Sequence, residues 1–99
     1  MNRDKPGLDP ELLFGSRGRI RVLQVLSDSS ELNISEISRR TGMNYTSVER
    51  HLGSLTEMGL LREKRYGKIR IFETMFNSLS VRFERGRGVR VDLELRTPT

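Results

Sequence analysis

Arginine dominates the chemistry that this sequence can do. Fifteen of its eighteen basic residues are arginine. A guanidinium offers a planar fork of donors that matches phosphate or carboxylate bidentately. The formal net charge is +5, and it is unevenly spread. Residues 1–60 carry eight basic side chains against eight acidic ones, whereas residues 61–99 carry ten against five. Such a surplus points to a polyanionic partner, with nucleic acid first among candidates. A charge-rich, solvated surface of thermophile kind is the competing account of the same numbers.

Other chemistry is poorly supplied. There is no cysteine, which removes disulfides, thiolate metal sites and a cysteine nucleophile. His51 is the only histidine. It neighbours an apolar stripe and has no evident metal-ligand partners, so a partly buried, hydrogen-bonded histidine is expected. No nucleophile–base set, paired carboxylates or glycine-rich phosphate loop stands out. The expectation is a protein that is not an enzyme and uses no cofactor and no metal. Apolar runs such as Leu12-Leu13-Phe14 fall far short of the roughly 20 residues that span a bilayer. The segment Met1–Gly7 is polar, so a cytoplasmic, nucleoid-associated protein without membrane contact is expected.

The elements that must position these side chains fit one domain of 99 residues. Residues 1–10 hold two prolines and are expected to form a flexible arm. From Ser16 to about Ser27 the apolar residues Ile20, Leu23 and Leu26, widened by Val22 and Val25, repeat with helical period. Ser16 is its expected N-cap, and Asp28-Ser29-Ser30 its end. Asn33-Ile34-Ser35-Glu36 is a capping box with Asn in place of Ser/Thr, opening a short helix to Thr41 that Gly42 terminates. Asn44 then caps another helix. Val48, Leu52 and Leu55 face inward along it, Met58 extends the stripe, and Met43 with Val48 forms a hydrophobic staple. A short helix, a tight turn and a longer helix in succession make a helix-turn-helix.

Beyond Gly59 the period changes to two. Leu60–Arg65 and Lys68–Thr74 read as strands around Tyr66-Gly67, a wing. That turn pairs Glu63 with Arg70 and Leu61 with Phe72, while setting Ile69 and Ile71 less tidily against Lys64 and Arg62, so the register stays open. Further on, Leu79, Val81 and Phe83 alternate, as do Val89, Val91, Leu93 and Leu95. A Gly86-Arg87-Gly88 loop would set Phe83 against Val91, Val81 against Leu93 and Leu79 against Leu95. The other face would then pair Glu84 with Arg90 and Arg82 with Asp92. The apolar face of this hairpin needs cover, from the domain body or from a second chain.

The run Asn33–Val48, continued through His51-Leu52, Met58-Gly59-Leu60-Leu61 and Tyr66-Gly67-Lys68-Ile69-Arg70-Ile71, resembles the winged helix-turn-helix of ArsR-like transcription regulators, archaeal ones in particular. Gly15–Leu23 looks like the first core helix of that family. The resemblance implies an α+β fold: a three-helix core with a β-hairpin wing over residues 11–75, here followed by an additional C-terminal β-hairpin over 76–99. It also implies sequence-specific binding of double-stranded DNA, usually by a homodimer. The chain departs from the family in three ways. It lacks the cysteine-bearing metal-sensing motif. Gly53 stands where a basic residue is frequent. Strands replace the usual C-terminal dimerisation helix, which makes residues 76–99 a possible dimerisation element of different geometry.

On this reading Tyr45, Thr46, Ser47 and Arg50 face the major groove, with Arg50 the candidate for a guanine contact. Glu49 either orients Arg50 or accepts from a cytosine amino group. Lys64, Arg65, Tyr66, Lys68 and Arg70 on the wing are candidates for phosphate or the minor groove. Arg39 and Arg40 divide between phosphate contact and helix-end electrostatics. Arg17, Arg19 and Arg87 rank below them. A non-specific chromatin-type DNA binder and a winged-helix protein–protein interaction module are the alternatives.

Overall fold

The computed structural model describes residues 8–96. Short polar side chains start every helix. Asp9 accepts from the Glu11 amide at 2.9 Å and opens α1 (Pro10–Phe14), with Pro10 at a position where a missing N–H costs nothing. Ser16 accepts from the Arg19 amide at 3.1 Å and opens α2 (Arg17–Ser29). Asn33 accepts from the Glu36 amide at 2.8 Å and opens α3 (Ile34–Thr41). Asn44 accepts from the Ser47 amide at 2.8 Å and opens α4 (Tyr45–Glu57). Each cap of this kind contributes about 1 kcal/mol. Gly42 ends α3 in the left-handed region at φ 74°, where glycine carries no Cβ penalty.

Two details differ from the sequence expectation at the N-terminal side. Pro10 belongs to α1 rather than to an arm, and Leu13 on α1 is 1% exposed within the core. Leu8 also packs against that core, while residues 1–7 of the expected arm lie outside the described residues. Helix α2 runs to Ser29, slightly past its expected end.

The core is the meeting of α2, α3 and α4. Val22, Leu26, Ile37, Val48, Leu52 and Leu55 are fully buried, and Met43 and Met58 pack at its margin. The inward stripe of α4 is therefore the expected one. Helices α2 and α4 approach closely at Gly18. A Cβ there would stand 2.6 Å from His51 Nε2 and 2.9 Å from the Met43 methyl.

Behind the helices lies a three-stranded antiparallel sheet in the order β1-β3-β2. Strand β1 (Glu31–Asn33) is too short to announce itself in sequence, and it sets Leu32 against Phe72, both buried. Strands β2 (Leu61–Tyr66) and β3 (Ile69–Thr74) form the wing. Their register corrects the pairing considered above by two residues. Tyr66 faces Ile69 and Glu63 faces Phe72, so the turn is Gly67-Lys68, not Tyr66-Gly67. Gly67 has φ 63° and takes the first central position, the place where a two-residue hairpin of type II′ wants glycine.

Strands β4 (Phe76–Glu84) and β5 (Gly88–Leu95) form the second hairpin, as expected, again two residues out of the expected register. Phe83 faces Val89, Val81 faces Val91 and Leu79 faces Leu93. The loop is Arg85-Gly86-Arg87 because the Arg87 amide donates to the Glu84 carbonyl at 3.0 Å. That turn puts Gly86, φ 78°, where a type II turn requires positive φ. A slip of two preserves the face of every side chain, so the apolar face survives. The charge pairing does not. Arg82 faces Arg90. Arg82 pairs with Glu84 at 3.0 Å and Arg90 with Asp92 at 3.3 Å, each along its own strand. Phe76 and Leu93 root the hairpin in the core, and the Arg96 amide closes the root on the Met75 carbonyl at 3.0 Å. Toward the tip the same face is bare, with Phe83 77% exposed. The fold is a winged helix-turn-helix of α+β class, carrying an additional C-terminal β-hairpin.

Gly18→Ala opposes two effects. Helix propensity favours alanine by up to about 1 kcal/mol. Overpacking against the buried His51 ring costs roughly 1–3 kcal/mol. The expected result is net destabilisation in urea unfolding, turning to stabilisation when the same change is made in a His51→Ala background.

Candidate nucleic-acid interface

Burial of one stripe of α4 decides which side chains are left for a partner. Tyr45, Thr46, Glu49, Arg50 and Gly53 are exposed, whereas Ser47 is half-buried with its amide committed to the Asn44 cap. Tyr45 lines a groove of about 170 Å³ with Lys68, Ile69 and Arg70 of the wing and Asn33, Ile34 and Ser35 at the start of α3. Two helix N-termini and the wing turn thus converge on one concave surface. Helix N-termini carry partial positive charge and free amides, so this surface favours anions.

The wing cations separate into free and engaged. Tyr66 and Lys68 are exposed at the turn. Among the described residues no ion pair engages Lys68 or Arg50. Arg65 is exposed but meets Glu63 at 3.2 Å. Lys64 is half-buried between Glu31 at 3.1 Å and Glu73 at 3.6 Å. The hydrogen bond to Glu31, with both carboxylates' charges, lifts its ammonium above the ordinary lysine range.

Arg70 is not a tip residue. Its guanidinium spans Glu63 at 2.7 Å and Glu49 at 2.6 Å, and lies 5.5 Å over the Phe72 ring. Hydrogen bonds to Glu63 and then Glu49 push its pKa up, and the Arg70 bond holds the Glu63 carboxyl below its usual range. Arg70 is thereby a strut between the middle of α4 and the wing. Glu49, expected beside Arg50 or against a base, accepts from Arg70 instead. Arg39 pairs with Glu36 at 3.8 Å while remaining largely exposed, and Arg40 donates to the Ser29 hydroxyl at 2.8 Å.

Sequence reasoning overlooked Glu73. It is 3% exposed and gathers Arg62, Lys64 at 3.6 Å and Arg96 at 3.2 Å. Burial pushes its carboxyl up, but the hydrogen bonds from Arg62 and Arg96 and the nearby charges outweigh this and hold it low. An acidic residue inside an alternating strand was the available signal. Its partners come from β2 and from the end of β5.

His51 lies beneath the exposed face of α4 and is 5% exposed. The hydrogen bond expected for it is not made at Nδ1, which is buried without a partner among the described residues. Burial, and then the charges of Arg50 and Arg19, lower its pKa. Among the described residues no group of three or more His, Cys, Asp or Glu side chains is placed to hold a metal ion.

Residues 16–63 match the family model described as bacterial regulatory protein, arsR family. The arsR match runs from the α2 cap through α4 into the first wing strand, and stops before β3 and the second hairpin. The chain is also similar to the crystal structure of the AntR antimony-specific transcriptional repressor. Identity is 22%, the TM-score is 0.58, and 73% of each chain is covered. At that identity the likeness concerns the fold, which is again the winged helix. No curated protein matches the chain.

A histidine held neutral makes stability pH-dependent. Its unfolded-state value is near 6.5 and its folded value lies below that. The unfolded chain therefore binds the extra proton first, so stability falls as pH drops through 6.5 toward the folded value. Urea unfolding at pH 7.5 and at a pH between roughly 5 and 6 checks this. The wild type should lose stability over that interval and His51→Leu should lose distinctly less.

Proposed function

We propose that the protein is a transcription regulator of ArsR-like, archaeal type that binds double-stranded DNA sequence-specifically. Helix α4 enters the major groove, and the wing turn lies on the backbone or in the minor groove. The observation that carries this reading is the convergence of the exposed first turn of α4, the start of α3 and Lys68 on one anion-favouring surface. The arsR match over residues 16–63 supports the same reading. Arg50 and Tyr45, with Thr46 and Ser47 at the helix start, read or position the major groove. Lys68 and Tyr66 serve the wing contact. Arg65 and Arg39 join them only by exchanging a carboxylate for a phosphate. Lys64, Arg70 and Arg40 act by holding the surface in shape.

We further propose a homodimer in the nucleoid, formed through the bare apolar face of the second hairpin. Phe83 and Val89 at its outer end are 77% and 47% exposed. A second copy of that face supplies the matching apolar cover. A two-fold assembly would set its recognition helices about 34 Å apart.

Selection from random duplexes, followed by binding titrations, tests the DNA reading. Neutralising about six phosphates gives a log–log salt slope near −5. Arg50→Ala should cost about 1–3 kcal/mol on the selected site and relax one base position. Equal affinity for all sequences would indicate a chromatin-type binder instead. Full DNA affinity in Arg50→Ala/Lys68→Ala, or none in the wild type, would indicate a protein-interaction module. Sedimentation at low concentration tests assembly: the wild type should be a dimer and Phe83→Ser/Val89→Ser a folded monomer. A monomeric wild type would refute the hairpin interface.

A further inference from the structure

We propose that the tip of the second hairpin is a separate DNA contact, with Arg82, Arg85, Arg87 and Arg90 holding phosphates of the duplex beyond the helix-turn-helix. The inference rests on the DNA-binding reading above and adds a site to it.

The first ground is where uncompensated positive charge sits. On the wing, Arg62, Lys64, Arg65 and Arg70 each meet a carboxylate. Arg85 and Arg87 are exposed at the hairpin tip, and among the described residues neither enters an ion pair. Charge counting alone divides the surplus between residues 61–75, with five basic against two acidic side chains, and residues 76–99, with five against three. Arg82, Arg90 and Arg96 of the second hairpin also meet carboxylates, so its uncompensated charge is concentrated in Arg85 and Arg87 at the tip.

The second ground is a cost retained in the pairing. Arg82 stands directly opposite Arg90. Like charges across a strand pair destabilise a hairpin. Glu84 and Asp92 pair with them along the strands, so each guanidinium takes a phosphate by exchanging its carboxylate. An anion bridging the two guanidiniums removes the conflict, and phosphate oxygens suit their planar donors.

The third ground is shape. Residues 85–90 are all exposed. At about 3.4 Å per residue, β4 carries the tip on the order of 25 Å from its root. Gly86 and Gly88 take positive φ, and nothing stands within 4 Å of where a Cβ would be. The tip backbone is thus open to close approach by a phosphate chain. The apolar face assigned above to the dimer lies on the opposite side of the ribbon from Arg82 and Arg90, so both uses are compatible.

The test uses the full chain and a duplex that extends well beyond the selected site on both sides. Anisotropy titrations between about 50 and 200 mM salt compare wild type, Arg85→Ala/Arg87→Ala, Arg85→Lys/Arg87→Lys and Arg50→Ala. For the alanine pair the salt slope should fall by about two, with an affinity loss of roughly tenfold or more that is the same on every sequence. The lysine pair should keep the slope. Melting temperature and sedimentation should match the wild type. An unchanged slope in the alanine pair, with Arg50→Ala still weakening the selected site, overturns the tip contact and leaves the DNA reading standing. Loss of the dimer in the alanine pair overturns it in favour of a role in assembly. A wild type that binds no duplex overturns both.

Discussion

One buried carboxylate governs how the parts of this molecule are joined. Glu73 sits on the central strand of the wing sheet and is almost fully buried. A buried charge is tolerable only when paired and hydrogen-bonded. Glu73 finds Arg62 and Lys64 across the wing, and Arg96 at the root of the second hairpin. Lys64 in turn reaches Glu31 on β1. One carboxylate therefore ties the wing to β1 and clamps the root of an extension that otherwise holds to the body by Phe76, Leu79 and Leu93. Removing any one of these cations would leave part of a buried charge unmatched. The orientation of the second hairpin is thus linked to the state of the wing.

The same pairing redraws the electrostatic surface. Wing cations that look available in sequence are mostly consumed in the fold. Arg70 is the clearest case, because its two carboxylates lie on different elements, Glu49 on α4 and Glu63 on β2. A strut of this kind fixes the angle between helix and wing, the two elements that the proposed docking sets against one duplex. Precise placement of donors is what base readout requires. Arg70 can therefore matter to recognition without touching a base.

How much was legible follows from the range of each interaction. Asn33, Asn44, Gly42 and the stripe Val48-Leu52-Leu55 act within a few residues, and the helix-turn-helix was read from them. Both hairpins were recognised, yet both registers were displaced by two. Alternation has period two, so it cannot see such a slip. The deciding facts are the positive φ of Gly67 and Gly86, which fix each turn. Helix α1 and strand β1 were missed because five and three residues carry too little periodicity. The Glu73 cluster and the Arg70 strut were invisible because their partners are distant in sequence and carry no local pattern.

Those distant pairings bear on how a small winged helix can hold DNA at all. Among the described residues that line the groove between α4 and the wing turn, Lys68 is the cation free of ion pairs, helped by two helix N-termini, while Arg50 stands exposed further along α4. Shape and a few polar groups there can supply selectivity. They supply little of the counterion release on which affinity depends. Further exposed cations lie outside the groove, and two that enter no ion pair among the described residues, Arg85 and Arg87, stand at the tip of the extended hairpin. A ribbon with an apolar inner face and an arginine-bearing tip separates two demands that a compact winged helix must meet on one surface. On the proposed reading the helix-turn-helix discriminates, and the hairpin joins copies and adds grip. The departure from the usual C-terminal helix then has a physical sense. A helix would cover the same apolar root, whereas a hairpin also carries charge well away from the domain.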